Sequence, residues 1–488
     1  MAAGIAWMSL MRIGVKGLGL ISSVVLARLL VPADFGLVAM AMSVILALEL
    51  LREFSFDVAL IQRQDSDRSF YDTAWTLNVL FGVMLASILV LVALPAAEYY
   101  HEPRLRSVMS VLALGMLVSG FENIGIVAFR KDLAFHKEFV LRVAQKACAI
   151  AITLPLAFAL RSYWALVIGT VCSYVLGVAI SYYAHPFRPR FSLAARKHLF
   201  AFSKWLVANN ALWFVRDRSQ DFVLGRIAGS SALGLFTISY EISNLPTTEL
   251  VAPINRAVFP AYAKMAEDLS VLAQGFLNVI GLVVVVALPS GFGIAATAPL
   301  LVPVMLGDKW LEAIPIVSIL AIFGSLNAMQ TNCGSIHYAM GKPHTLTMIG
   351  VVQLVFLLPS VIWSAFHYGA IGIAWAYLFN VALVIVPLNY GVALYRLRLP
   401  PWRLLALLWR PAAATGVMYG VVRVWVERSP QPSVVSLATA VAIGAATYAA
   451  TLAALWWAAG RPDGVEKTFS ERFLAAAWSR ISPARRTQ

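Results

Sequence analysis

The most regular feature of the chain is an alternation of long apolar runs with short polar connections. Runs of about 20 residues predict membrane-spanning helices, whereas the strands of a membrane barrel would alternate over about 10 residues. Hydropathy predicts about fourteen spans. In the first half they cover 5–31, 35–61, 73–97, 105–128, 138–160 and 162–184. They continue with 199–228, 233–261, 271–298, 311–336, 344–366, 369–395, 403–426 and 433–459.

The turn that joins the first two spans occurs twice in the chain. Pro32 cannot continue the first helix, Asp34 can cap the second, and Gly36 allows close backbone approach. A second copy runs from Leu224 to Leu235. An offset of 198 residues relates Arg28 to Arg226, Gly36 to Gly234, and Trp7 to Trp205. A spacing kept at three positions indicates a duplicated half.

Composition fixes the class of protein. Of 488 residues, 60% are hydrophobic and 13% are charged, and the mean hydropathy is +0.78. A soluble chain carries about 25% charged residues. The net charge of +14 does not indicate nucleic-acid binding, because the basic residues lie in short connections between apolar runs, as the positive-inside rule describes. The early run is interrupted by Lys16 and is followed by many further spans, so we do not expect a cleavable signal peptide.

The basic connections follow the even-numbered spans, which predicts that both termini are cytoplasmic. Six spans per copy is an even number, so the copies enter the membrane from the same side and are expected to be related by a pseudo-two-fold axis along the membrane normal. We therefore predict an all-α, polytopic membrane protein with two six-helix lobes and two extra C-terminal helices. The predicted boundaries are 1–184 for the N-lobe, 185–198 for a basic cytoplasmic inter-lobe loop, 199–396 for the C-lobe, 397–460 for accessory spans and 461–488 for a cytoplasmic tail.

Charge inside a span is costly, about 3 kcal/mol at the bilayer centre on insertion scales, so charged spans are candidates for a substrate pathway. Span 1 carries Arg12 and Lys16 on one helix face, where they can attract an anion or extend to the headgroups. Span 2 carries Glu49, Glu53 and Asp57 in one stripe beside Arg52. That stripe is either an interhelical ion-pair cluster or a proton or cation site.

Spans 7 and 8 are the most polar. Span 7 places Asn210, Trp213, Asp217 and Asp221 on one face, flanked by Arg216 and Arg218. This face is predicted to line a cleft, although Asp217 and Asp221 can also pair internally with Arg218. Span 8 carries Glu241, Asn244, Thr248 and Asn255, and its prolines Pro246, Pro253 and Pro260 are seven residues apart. Each proline bends the helix, which suits either a moving gate or a permanently curved helix. Glu122 is explained by hydrogen bonding between helices.

Motifs for other chemistry are missing from the sequence. There is no Walker loop for ATP and no His/Glu metal pair on a helix, and no cofactor or metal is predicted. The three cysteines, Cys148, Cys172 and Cys333, fall inside predicted spans at spacings that fit no zinc site or disulfide framework. The connections on the non-cytoplasmic side are too short to hold the acidic loop of a glycan-polymerising enzyme.

Three motifs resemble the polysaccharide-biosynthesis (Wzx-type) flippases of the MOP (multidrug/oligosaccharidyl-lipid/polysaccharide) superfamily. They are Ala27–Gly36 after span 1, Ala59–Arg63 at the end of span 2 and Ala128–Phe135 after span 4. The resemblance covers most of residues 1–396. It implies a V-shaped, MATE-like pair of lobes around a cavity that opens alternately to each side, in a bacterial inner membrane.

The resemblance also implies a substrate, an undecaprenyl-diphosphate-linked oligosaccharide that moves from the cytoplasmic to the periplasmic leaflet. Basic residues would bind the diphosphate, and those on the matching helices are Arg12, Lys16, Arg52, Arg216 and Arg218. Without an ATP site, uphill transport would use a proton or sodium gradient, with Glu49, Glu53 and Asp57 as the candidate coupling residues, or the pull of downstream polymerisation. A glycan polymerase and a chain-length regulator are the implied protein partners.

Three alternatives remain open at this stage. A cation-coupled multidrug antiporter shares the architecture but favours an acidic, aromatic cavity. A peptidoglycan-precursor flippase differs only in the headgroup. A membrane glycan polymerase or ligase predicts large periplasmic loops with acidic or histidine residues, which this chain lacks.

Overall fold

The computed structural model describes residues 2–50, 68–194, 204–342, 344–428 and 431–462. Within these ranges the chain is helical and contains no β-strand. The helices of the first half are α1 (Ala2–Leu29), α2 (Pro32–Glu49), α3 (Arg68–Tyr100), α4 (Arg104–Ser119), α5 (Phe135–Leu160) and α6 (Trp164–Ala184). Two short helical turns, Ile124–Val127 and Ala128–Lys131, connect α4 to α5.

The second half continues with longer and more interrupted helices. They are α7 (Lys204–Ser243), a π-helical segment (Pro246–Val251), α8 (Ala252–Met265), α9 (Leu269–Met305), α10 (Ala313–Ala339), α11 (His344–Asn380), a second π-helical segment (Val381–Ile385), α12 (Val386–Arg396), α13 (Pro401–Arg428) and α14 (Val434–Ala458).

Glycines break the two helices that run through two predicted spans each. Gly229 in α7 has φ 80° and ψ −176°, and Gly369 in α11 has φ 57° and ψ −137°. A positive φ costs glycine little because it has no Cβ. Divided at these glycines, the described helices supply a segment for each of the fourteen predicted spans. By length and apolarity, ten helical segments of the described residues can cross a membrane, and Phe214–Asn255 and His344–Arg396 each count as one of them. The bent pair Arg104–Ser119 and Ile124–Lys131 adds an eleventh if the two helices form one span. The prediction of an all-helical, polytopic membrane protein is confirmed.

The chain forms two compact units. The first comprises residues 1–237, 305–310 and 360–373, and the second comprises 238–304, 311–359 and 374–488.

Small residues hold the helices of the first unit together. α3 and α4 meet at Gly82 and Gly120, where a Cβ added to Gly82 would lie 3.0 Å from the Cα of Gly120. Such close backbone approach is how helices gain van der Waals contact in a membrane, where lipid offers no hydrophobic driving force. α1 packs on α5 and α6 through a fully apolar cluster formed by Leu26, Leu30, Ala157 and Ala165.

The described part of the basic connection after α6 is hydrogen-bonded to other elements of the first unit. The backbone N–H of Arg190 donates to the Asp72 carboxylate (2.9 Å), and that of Ser192 donates to the Thr76 hydroxyl (2.9 Å). The Asn123 side-chain amide donates to the carbonyls of His185 (3.2 Å) and Phe187 (2.9 Å). These contacts attach residues 185–192 to the start of α3 and to the α4–α5 connection.

The second unit has a large core between α8, α9, α10 and α12. Tyr262, Phe276, Cys333 and Tyr390 are buried in it, and Leu404 at the start of α13 belongs to the same cluster. The C-terminal pair packs on α9 through a separate cluster of Ala296, Leu300, Met418, Val422, Val426 and Ala440. The Tyr448 hydroxyl of α14 donates to the Val285 carbonyl of α9 at 2.9 Å.

Candidate functional site

The two copies of the repeated turn break the helix by different means at equivalent positions. In the first copy, Val31 is extended (φ −106°, ψ 159°) and Pro32 begins α2. The N-cap is Val31, and Asp34 lies at the third helical position, where its carboxylate accepts a hydrogen bond from the Val31 backbone N–H at 3.2 Å. Asp34 therefore contributes to the cap from inside α2 and is not itself the N-cap, because the helix begins earlier, at Pro32. In the second copy, Gly229 takes the position of Val31, 198 residues further on, and its left-handed backbone makes the break.

The two turns pack against each other in a reciprocal contact. A Cβ added to Gly36 would lie 1.6 Å from the Ser230 carbonyl oxygen, and one added to Gly234 would lie 1.8 Å from the Pro32 carbonyl oxygen. Because Ser230 is offset from Pro32 by the same 198 residues as Gly234 from Gly36, the contact follows the symmetry of the repeat. We call these four residues the glycine clasp. They lie within the first compact unit.

Polar contacts surround the glycine clasp. Arg104 donates two hydrogen bonds of 2.8 Å to the Glu102 carboxylate, and the Ser230 hydroxyl lies 3.4 Å from it. The hydrogen bonds from Arg104 hold the pKa of Glu102 below its usual range, so the carboxylate is charged at neutral pH. Arg226 contacts His101 and lies over the Tyr99 ring. Four connections thus meet at this end of the first unit, because the indole of Trp310 also donates to the Ala27 carbonyl at 2.8 Å.

The polar face of α7 is arranged in ion pairs. Arg216 pairs with Asp217 at 2.6 Å, and Arg218 pairs with Asp221 at 3.2 Å. Their acids differ in burial: the Asp217 side chain is 49% exposed, whereas that of Asp221 is 6% exposed. Internal pairing therefore accounts for part of this face. The side chains of Asn210 and Trp213, which α7 also carries, lie outside the described structure.

Part of the predicted site on the first two spans can be placed. Lys16 is exposed on α1, and Glu49 is half-buried at the end of α2. The side chain of Arg12 is outside the described structure, as are residues Arg52, Glu53 and Asp57.

A polar cavity of about 420 Å³ lies among α1, α2, α4, α5 and α6 of the first unit. Its lining includes four charged side chains, Glu49, Glu122, Arg142 and Lys146, together with Gln145 and Tyr174. We call it the Glu122 cavity. Along the helices it lies towards the end of the bundle opposite the glycine clasp, because Glu49 ends α2 and Arg142 is near the start of α5.

Sequence reasoning missed three residues of this cavity. Arg142, Gln145 and Lys146 fall on one face of a single predicted span, at i, i+3 and i+4, which was the signal that could have found them. Glu122, interpreted as a residue that bonds between helices, does pair with Arg142 at 3.6 Å.

The prolines of the predicted gate lie where the helix is irregular. Pro246 begins the π-helical segment, Pro253 lies in the first turn of α8, and Pro260 lies inside it. The Thr248 hydroxyl donates to the Asn244 carbonyl at 3.2 Å. Asn255 donates to Thr331 (2.7 Å) and accepts from the Asn332 amide (3.1 Å), so it bonds to α10. Glu241 is exposed.

The fold defines the class of protein. The structure is similar to that of the lipid II flippase MurJ in an inward closed conformation, with a TM-score of 0.75 at 12% sequence identity over 93% of this chain and 100% of that chain. The chain therefore has the helical fold of this structure, and the fold that the resemblance implied is confirmed.

The sequence identifies the family within that class. A family model described as "Polysaccharide biosynthesis protein" matches residues 25–315, and the chain belongs to this family. It is 24% identical over 398 residues to the lipopolysaccharide biosynthesis protein WzxC of Escherichia coli, covering 80% of each chain. It is 24% identical over 410 residues to the teichuronic acid biosynthesis protein TuaB of Bacillus subtilis, covering 82% of this chain and 84% of the relative. The similarity to Wzx-type proteins is confirmed.

Proposed function

We propose that this chain is a flippase that moves an undecaprenyl-diphosphate-linked oligosaccharide from the cytoplasmic to the periplasmic leaflet of a bacterial inner membrane. The observation that carries the proposal is the joint match of family and fold: a polysaccharide biosynthesis family over residues 25–315 and the fold of a lipid flippase over 93% of the chain. The product would serve exopolysaccharide, capsule or O-antigen synthesis.

The physical problem of this transport is the headgroup. A diphosphate is too charged to cross hydrocarbon alone, whereas the polyprenyl tail can remain in lipid. Guanidinium groups match phosphate oxygens in charge and geometry. We assign the diphosphate to Arg12, Lys16, Arg52, Arg216 and Arg218. The ion pairs of Arg216 and Arg218 with their neighbouring aspartates mean that a phosphate would compete with Asp217 and Asp221 for these guanidinium groups.

The glycine clasp suits the closed side of a transporter that works by alternating access. It brings the repeated turns together at one end of the first unit, and the Glu122 cavity, lined by half-buried polar residues, lies towards the other. With the positive-inside orientation, the clasped end is periplasmic and both termini are cytoplasmic. The two six-helix lobes of the sequence prediction would then separate at the clasp when the proposed cleft between them opens outward. Pro246, Pro253 and Pro260 are the proposed hinge of this movement, and Glu241, Asn244 and Thr248 beside them are proposed to line the cleft between the lobes.

Energy for uphill transport would come from a proton or sodium gradient through Glu49, Glu53 and Asp57, or from removal of the product by a glycan polymerase with its chain-length regulator. Among these acids, Glu49 is described, and it lines the Glu122 cavity. The chain would act as a transporter, without a catalytic residue.

A reconstituted assay tests the function directly. The purified chain is placed in liposomes that contain a fluorescent polyprenyl-diphosphate oligosaccharide, and a membrane-impermeant reagent measures how much substrate becomes accessible from outside. We expect accessibility to rise beyond one leaflet's share only with the protein present. No translocation of this lipid together with export of cationic dyes would instead establish a multidrug antiporter. Elongation of the glycan by the chain would establish a polymerase or ligase.

A further inference from the structure

The Glu122 cavity carries an inference about what part of a ligand it binds. Among the residues that the structure describes, its charged side chains are two carboxylates, Glu49 and Glu122, and two cations, Arg142 and Lys146, whose formal charges sum to zero. A phosphate group would gain little there, because both carboxylates repel it, and a cationic ligand large enough to fill the cavity would lie against the guanidinium and ammonium groups. The balance favours an uncharged polar ligand.

The hydrogen-bonding groups of the cavity are fixed in position. Arg142 donates to the Gln145 side-chain oxygen at 3.1 Å and pairs with Glu122 at 3.6 Å. The Gln145 amide donates to the Gly177 carbonyl at 3.2 Å, which ties α5 to α6. Arg142 and Glu122 remain about one third exposed, at 36% and 34%, so both can reach a ligand in the cavity.

Two glycines leave space for two further side chains of the cavity wall, Tyr174 and Lys146. A Cβ at Gly115 would lie 2.7 Å from the Tyr174 ring, so the ring occupies space that only glycine leaves. Lys146 lies over α1, with its Cε 3.6 Å from a Cβ added to Gly19. The cavity therefore combines an aromatic ring, an amide, carboxylates and cations from α2, α5, α6 and the α4–α5 connection.

We infer that the Glu122 cavity binds a neutral sugar ring and that Glu122, Arg142 and Gln145 select it. Sugar hydroxyls both donate and accept hydrogen bonds, so they need carboxylate acceptors beside guanidinium and amide donors. The volume of about 420 Å³ lies within the range of small-molecule sites, about 300–1,000 Å³. The inference rests on the proposed function for the identity of the ligand: the sugar would belong to the headgroup whose diphosphate binds the other cations.

Binding to a pair of probes tests the inference. The full-length protein in nanodiscs is titrated with polyprenyl diphosphate alone and with the same lipid carrying one glucose, galactose or N-acetylglucosamine residue. We expect at least one glycosylated lipid to bind about tenfold more tightly than the bare lipid, which is the effect of one or two hydrogen bonds to charged groups. Glu122→Gln and Gln145→Met should bring this ratio close to one and leave the affinity for the bare lipid unchanged.

Two controls separate selection from structure. Arg142→Lys keeps the charge and should retain part of the ratio. Arg423→Gln removes a similar arginine, which pairs with Glu427 at 3.2 Å on α13, and should change neither affinity. The inference is overturned if no sugar is preferred over the bare lipid, or if the cavity variants weaken both probes equally.

Translocation of the preferred lipid in proteoliposomes distinguishes the two proposals. If the lipid is moved but the cavity variants keep the same preference, the sugar site is wrong and the flippase stands. If the sugar is selected in binding but no lipid is moved, the proposed function fails and the site stands.

Discussion

At the scale of single residues, burial decides which of the ion pairs on α7 stabilises the helix. Asp217 is half exposed, so solvent can replace Arg216 as its partner. Asp221 is buried, and its carboxylate depends on Arg218. Two pairs that look alike in the sequence therefore differ in what their loss would cost.

We predict that Arg218→Ala lowers stability more than Arg216→Ala. Removing Arg218 leaves a buried carboxylate without this partner, a cost of about 1–3 kcal/mol, whereas an exposed pair is worth about 1 kcal/mol or less. Melting temperatures in detergent measure both. Equal melting temperatures would contradict the argument from burial. If both variants keep the melting temperature of the wild type but lose transport, the two arginines act on the substrate and not on stability.

His185 gives a second prediction at this scale. Burial, and then the nearby cations Lys137 and Arg188, lower its pKa, and Asp132 opposes this. Its Nδ1 accepts a hydrogen bond from the Phe187 backbone N–H at 3.1 Å, which requires an unprotonated nitrogen.

The sign of the pH dependence follows from this lowered pKa. Between it and the ordinary value of about 6.5, the unfolded state binds more protons than the folded state, so stability falls as pH drops through that window. We expect the melting temperature to decrease between pH 7.5 and pH 5.5, and His185→Asn, which keeps an acceptor, to reduce the decrease. An unchanged pH dependence in the variant would exclude His185 as its source.

At the scale of elements, the glycine clasp shows that the two copies of the repeated turn begin their helices in different ways. Pro32 and Gly229 break their helices by different chemistry, one by a missing N–H and the other by a left-handed backbone. The outcome is the same start for α2 and for the second part of α7, and these two starts touch through Gly36 and Gly234.

We predict that Gly36→Ala opens the clasp. Its methyl group would overlap the Ser230 carbonyl, and relieving such overpacking costs about 1–3 kcal/mol. Met40, which is buried and lies 3.3 Å from a Cβ added to Gly225 of α7, reports the opening. In a background without the three native cysteines, Met40→Cys should react with an impermeant maleimide only when Gly36→Ala is present.

Gly420→Ala is the matched control for the clasp, because nothing lies within 4 Å of a Cβ at that position on α13. It should leave the labelling unchanged and the protein as stable as before or slightly more so. Equal labelling of the two variants would show that the clasp does not hold this end together.

At the scale of the whole molecule, orientation follows from the charge of the connections. The connections that follow even-numbered spans carry most of the lysines and arginines. One of these connections, residues 185–192, is hydrogen-bonded to α3 and to the α4–α5 connection. The opposite connections, which include the glycine clasp, are short.

We predict opposite accessibility for two exposed positions. Ala194→Cys should be labelled from the cytoplasmic side, and Leu311→Cys, between α9 and α10, from the periplasmic side. Labelling of intact spheroplasts with an impermeant maleimide, with and without permeabilisation, measures this. The reverse pattern would invert the direction of transport that we propose.

The sequence by itself determined the helices, because membrane spans must be apolar and satisfy their own backbone hydrogen bonds. It also determined the repeat, visible in Arg28, Arg226, Gly36 and Gly234. Only the tertiary structure decided which polar residues meet. The charged residues of spans 1 and 2 can be recognised in the sequence. Arg142 and Gln145 can be assigned to a site only from the structure, because packing of α4, α5 and α6 places Glu122 and Tyr174 beside them. The physical reason is that helical period and hydropathy are local properties, whereas the partner of a charge inside a bundle depends on packing between helices far apart in the chain.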